Sequence, residues 1–161
     1  MFKVGDKVVY PMHGAGVIEK IEEREILGHR DQYYIMRLSV GDMKVMVPKS
    51  NAEEVGLRPV ISPEEVPAVY EVLKGEKTAM SQNWNRRYRA NMEKLKTGDV
   101  FTVAEVVRNL GLRDKEKGLS TGERRMLENA KQILCSELCI VENKSAEEVA
   151  SGIEAILNGS E

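Results

Sequence analysis

Lys7-Val8-Val9-Tyr10-Pro11-Met12-His13-Gly14-Ala15-Gly16-Val17-Ile18-Glu19-Lys20-Ile21-Glu22 is the stretch that decides the fold. Two runs rich in β-branched and aromatic residues, Lys7 to Tyr10 and Val17 to Glu22, flank Pro11 and the small-residue cluster His13 to Gly16. That is the pattern of strand, turn and strand. Further along, Tyr33-Tyr34-Ile35-Met36-Arg37-Leu38 and Met43-Lys44-Val45-Met46-Val47 repeat it across the turn Val40-Gly41-Asp42. Short strands packed this closely predict about five of them in residues 1–60, bent into a small barrel rather than laid out flat. So small a core is marginal by itself and needs the rest of the chain, or a partner, to lean on.

After Arg58-Pro59 the pattern changes. Four segments start with the S/T-x-x-E signature, at Ser62…Glu65, Thr102…Glu105, Ser120…Glu123 and Ser145…Glu148. Each reads as a helix start in which the hydroxyl caps a free N–H and the Glu reaches back to the cap. Pro63 fits the first helical position after Ser62, where its missing N–H costs nothing. A further helix is predicted from near Asn83 to near Thr97, with Gly98 as its stop. Residues 74–83 read as a surface loop, and residues 158–161 as a frayed end. The expected class is α+β: a small Tudor/SH3-like β-barrel over residues 1–60, then an all-α helical domain over residues 61–161.

A length of 161 residues suits one ordinary domain or two small ones, and 42% hydrophobic content excludes global disorder. The net charge of −2 rules out a cationic coating protein, yet residues 84–136 carry a net +5 and residues 137–161 a net −5. The basic block is either a local polyanion site or a set of solvated helix faces. Cys135 and Cys139, four apart in a helix, read as buried structural thiols, since no second Cys/His pair completes a zinc site. His13 and His29 lack ligand neighbours at useful spacing. Gly14-Ala15-Gly16 has no third glycine and leads into a strand, so it is no dinucleotide fingerprint. In Glu22-Glu23-Arg24-Glu25 neighbouring side chains point to opposite faces of a strand, so a catalytic carboxylate pair is unsupported. No metal, cofactor or small-molecule substrate is expected, and no enzyme. With no export signal and no apolar run of the roughly 20 residues that span a bilayer, the expected setting is the cytoplasm, away from membranes.

Residues 84–96 are the most informative helix. Trp84, Tyr88, Met92 and Leu95 form an apolar stripe, with Arg86, Arg89, Glu93 and Lys96 expected on a neighbouring one and Arg87 between them. From spacing alone Trp84 is a first core residue. Its place in the first helical turn, bracketed by arginines, also suits DNA, where guanidiniums hold phosphates and a flat ring lodges against an unstacked base step. A second basic patch comprises Arg113, Lys115, Lys117, Arg124 and Arg125.

These residues carry a resemblance. The stretches 2–16, Gly41 to Pro48, Asn83 to Arg89 and Gly118 to Met126, in that order along the chain, resemble the bacterial CarD family. The first 60 residues also resemble the polymerase-interacting module of the transcription-repair coupling factor. The resemblance implies a Tudor-like domain bound to the RNA polymerase β subunit and a helical domain touching the upstream edge of the transcription bubble. It places the family's wedge tryptophan at Trp84 and its DNA-contacting basic residues at Arg86, Arg87, Arg89 and Arg124. For polymerase contact it points to Arg24, beside Glu25 and Ile26. A second family arginine falls at Met46, which replaces a charge by an apolar side chain. The implied protein is a monomer with weak, largely sequence-nonspecific affinity for promoter DNA, nucleoid-associated only through polymerase, that favours the open complex. An alternative is an RNA- or ribosome-associated module, for which the barrel would need exposed aromatic rings.

Overall fold

The computed structural model describes residues 2–159. The expected fraying at 158–161 lies partly outside them, and Asn158 and Gly159 form a turn. The sheet begins with β1 (Lys7–Tyr10) and β2 (Gly14–Ile26), antiparallel, with Tyr10 opposite Gly14. The glycines expected in the turn therefore belong to β2. The reason is space: Gly14 has φ +115°, and a Cβ there would stand 2.9 Å from Ser136 Oγ on a helix packed against the strand.

β2 runs four residues past the expected Glu22 and pairs with β3 (His29–Leu38) along its length, with a bulge between Ile18 and Lys20. Then come β4 (Lys44–Pro48), paired with β3, and the two-residue β5 (Arg58–Pro59), paired with β1. The order is β4-β3-β2-β1-β5, antiparallel throughout. Val8 of β1 and Val47 of β4 share one buried cluster with Ile18, Tyr34 and Met36. Strands three places apart close on the same core, so the sheet is strongly curled. This is the small barrel-like half.

A 3-10 turn at Pro63–Glu65 leads into α1 (Val66–Lys74). α2 (Trp84–Lys96), α3 (Val100–Glu116), α4 (Thr121–Glu142) and α5 (Ala146–Leu157) complete the helical half. Ser120 and Ser145 make full capping boxes at the heads of α4 and α5. The other two signatures behave differently. Ser62 opens only the 3-10 turn and caps no backbone N–H. Thr102 lies inside α3, whose cap is Asp99; the Asp99 carboxylate accepts from the Thr102 backbone N–H at 3.3 Å and from its hydroxyl at 2.7 Å. An Asp three residues upstream is as strong a cap as Thr, and here it wins.

α3, α4 and α5 bury Val103, Val107, Leu110, Leu127, Leu134, Leu138 and Ile153 in one core, which Val69 and Leu73 of α1 and Leu95 of α2 join. α4 also holds the two halves together. Ser136 Oγ accepts from Ala15 N–H at 2.8 Å, and Ser39 Oγ donates to Ser136 O at 2.9 Å. Glu137 accepts both Arg58 terminal nitrogens at 2.8 Å and Ile61 N–H at 2.9 Å. Arg58 Nε reaches Gly98 O at 2.9 Å, and Gly98, at φ +71°, leaves room for Pro11, whose Cγ would be 2.6 Å from an added Cβ.

Candidate functional site

α2 starts where Asn83 Oδ1 accepts from Arg86 N–H at 3.1 Å, and this cap sets Trp84 in the first turn. Trp84 is 42% exposed, so it is neither sealed in the core nor free in solvent. Tyr88 stacks on it with ring centroids 5.0 Å apart and planes 20° from parallel. The indole N–H donates to Ser120 Oγ at 2.8 Å, which ties the start of α2 to the cap of α4.

Ser120 also links the ring to a buried ion pair. Arg87 Nε donates to Glu123 Oε2 at 2.6 Å and its Nη2 to Oε1 at 3.1 Å, and both residues are almost fully enclosed. Arg87 Nη1 also donates to the carbonyls of Ser81 and Gln82. The Arg87 guanidinium holds the Glu123 carboxyl below the ordinary carboxylate range despite burial, and Glu123 raises the Arg87 pKa in return. The expectation of a phosphate contact at Arg87 is corrected here. Its donors are already engaged inside the protein, and a buried charge needs those partners.

The buried side of α2 is Arg87, Asn91 and Leu95, with Tyr88 and Met92 only partly covered. Arg86 and Arg89 are exposed, and no ion pair engages either among the described residues. By helical spacing they leave the outer face of α2, roughly opposite Trp84, rather than a stripe beside it. On α4, Arg124 and Arg125 are exposed just after Glu123. Arg124 lies 3.5 Å from Asp114 and also donates to Leu119 O. The ring thus stands at the α2–α4 junction, with free cations on the outer faces of both helices. Arg113 is half-buried, and Lys115 donates to Leu157 O at the end of α5.

The expected surface loop is present over 75–83, with most of its residues exposed, and it is anchored at Thr78. Arg108 donates to Val72 O at 3.2 Å and to Thr78 Oγ1 at 2.6 Å, and Asn109 Oδ1 accepts from Thr78 N–H at 3.0 Å. Thr78 thereby ties the loop before Trp84 to α3.

At the other end, β2 and β3 extend as a two-stranded ribbon. Arg24 pairs with Asp31 and Ile26 with His29, and the turn is Leu27-Gly28. Register places Arg24 and Ile26 on one face with Lys20 and Met46, and Glu25 on the other. On the first face Lys20 and Arg24 both bond Glu22, which lowers the Glu22 pKa. Arg24 keeps half of its side chain exposed, and Ile26 and Met46 are 40% and 39% exposed. Leu27 is 97% exposed with φ +53°. Nothing in the reading of residues 1–60 singled it out. The available signal is a Leu-Gly pair where a two-residue hairpin prefers Asn-Gly. Tyr33 and Tyr34 are both buried, so they offer no stacking surface for the RNA-binding alternative.

A family profile described as the CarD-like/TRCF RID domain matches residues 2–61, and one described as the CarD C-terminal domain matches residues 68–154. The chain belongs to the CarD family. The CarD-family protein YdeB of Bacillus subtilis (strain 168), a candidate transcription factor by name, is 40% identical over 151 residues, which cover 94% of this chain and 99% of YdeB. Among solved structures, the N-terminal domain of Myxococcus xanthus CarD is 32% identical over 37% of this chain and 79% of that one, with a TM-score of 0.33. The CdnLNt structure from the same organism is 42% identical over 38% and 87%, also at 0.33. The CarD family is one of transcription factors rather than enzymes, which agrees at that level with the absence of a convergent catalytic group in the sequence. Among the described residues, no three or more His, Cys, Asp or Glu cluster as metal ligands, and no helix is long and apolar enough to cross a membrane. Cys135 and Cys139 are free and buried, and burial pushes the Cys135 thiol up to about 11.

Proposed function

We propose that this CarD-family protein is a transcription regulator that docks on the RNA polymerase β subunit through the outer face and tip of the β2–β3 ribbon. Arg24, Ile26 and Met46 would make the contact, joined by Leu27 at the turn and with Glu25 on the far side. From that dock the protein presents Trp84 to the upstream edge of the transcription bubble. The observation that carries this reading is Trp84, partly exposed and held at the α2–α4 junction, with the exposed Arg124 near the head of α4 and the exposed Arg86 and Arg89 on the outer face of α2.

DNA affinity is weak in the free protein, because a few arginines on a net-acidic chain release few counterions. Docking on polymerase turns DNA contact into an intramolecular step and raises its local concentration. The ring then favours separated strands by lying against the opened base step, while the arginines hold the backbone without reading sequence. A differential of about 1.4 kcal/mol shifts the ratio of open to closed complexes roughly tenfold.

Two variants test the two ends. Trp84→Ala is expected to co-purify with polymerase as wild type does, yet to shorten open-complex lifetime about tenfold. An unchanged lifetime for the folded, bound variant rejects the wedge. Arg24→Glu is expected to lose polymerase, and its retention rejects the ribbon as the dock.

A further inference from the structure

The two capping boxes in this chain have the same form but different surroundings. At α5, Ser145 and Glu148 bond each other and stay exposed, with no outside partner among the described residues. At α4, Ser120 Oγ accepts from Glu123 N–H at 3.2 Å and from the Trp84 indole N–H at 2.8 Å, and donates to Glu123 Oε1 at 3.1 Å. A hydroxyl has one donor and two acceptor sites, and here all three are used. Glu123 in turn accepts from Arg87 at both oxygens and is 2% exposed. An unbroken chain of hydrogen bonds therefore runs from the indole through Ser120 and Glu123 to Arg87, which also holds the carbonyls just before Trp84. A helix cap alone needs none of this. Ser145 caps α5 without it.

We infer that Ser120, Glu123 and Arg87 are positioning residues that fix the orientation of the Trp84 ring before it meets DNA. This deepens the wedge reading and rests on it. An indole N–H can only donate, so its Ser120 acceptor fixes which edge of the ring turns inward and which edge remains for a partner. Tyr88 stacks on one face and limits tilt. A ring locked in this way loses little freedom when it inserts, and preorganisation of that kind raises effective affinity without any new contact.

The protein has a single tryptophan, so its intrinsic fluorescence reports this ring and no other. The test uses the full chain as Ser120→Ala, Ser120→Thr and Ser145→Ala. Each variant is measured by time-resolved anisotropy alone and by open-complex lifetime with polymerase. Ser120→Ala is expected to add a fast depolarising motion of the indole and to shorten the lifetime about fivefold, the worth of one net hydrogen bond of about 1 kcal/mol. Ser120→Thr keeps the hydroxyl and is expected to restore both. Ser145→Ala removes a comparable cap and is expected to change neither. The inference is overturned if ring motion in Ser120→Ala matches wild type, or if Ser145→Ala loosens the ring equally. If Ser120→Ala frees the ring while Trp84→Ala leaves the lifetime untouched, the positioning stands and the wedge fails.

Discussion

Arg86, Arg87 and Arg89 fall within one helical turn and serve different ends. Arg87 is enclosed with Glu123, and removing one member of a buried pair strands the other, so Arg87→Ala is expected to cost about 3–5 kcal/mol of stability. Arg86→Ala and Arg89→Ala are expected to stay within about 0.5 kcal/mol of wild type, as exposed changes do. Chemical denaturation checks both. A loss at Arg86 as large as at Arg87 would contradict the division. The same pair predicts an acid response. Glu123 has its pKa lowered in the folded state, so its contribution is complete above the ordinary carboxylate value. That contribution is lost as pH falls below the ordinary value and through the lowered folded one. Fluorescence of the sole tryptophan should follow this loss on acid titration, whereas Glu123→Gln should begin in the loosened state. The fate of Arg87 is not legible in the sequence, since its partner lies 36 residues away and spacing within α2 alone leaves its side undecided. The exposed Arg86 and Arg89 are legible as cations, though not as the outer face of the helix.

Elements show the same limit. The capping boxes at Ser120 and Ser145 are readable because both groups of each box are local, while Thr102 looks like a cap only until Asp99 is weighed against it. The β2–β3 ribbon is the least readable element. Residues 23–26 lack the apolar alternation of a half-buried strand, because the ribbon extends past the core and neither of its faces there is covered. Its turn carries a bulky residue in left-handed backbone, the reverse of what stability favours. Leu27→Asn accepts φ +53° more readily and is expected to gain about 1 kcal/mol in stability, while polymerase retention falls. Thermal unfolding and co-purification measure the two effects separately. Full retention by a stabilised Leu27→Asn protein would remove Leu27 from the dock. Ile26 and Arg24 would then carry that end alone.

For the whole molecule, the relation between dock and ring depends on α4. The head of this helix holds Trp84 through Ser120, and its middle holds the sheet through Ser136 and Glu137. A regulator that works by presenting a ring at a fixed distance from its dock needs the two halves joined stiffly, and the Glu137 cluster is the strongest polar tie between them. Glu137 is almost fully buried and its partner Arg58 only a quarter exposed, with Ile61 N–H as a third donor. Glu137→Ala is expected to destabilise the protein by about 3 kcal/mol, since it leaves a largely buried guanidinium without its counter-charge and the Ile61 backbone donor without its acceptor. The informative measurement is made on the fraction that stays folded. Polymerase should still be captured, because the ribbon lies at the far end of the sheet, and the ring should remain ordered by Ser120. Open-complex lifetime should nevertheless fall, because each contact is intact but their spacing is no longer fixed. Small-angle scattering should show a broader distribution of sizes for the variant than for wild type. If Glu137→Ala keeps the full lifetime while its two halves move independently, the ring finds the bubble edge without a rigid arm. The tie then contributes only to stability.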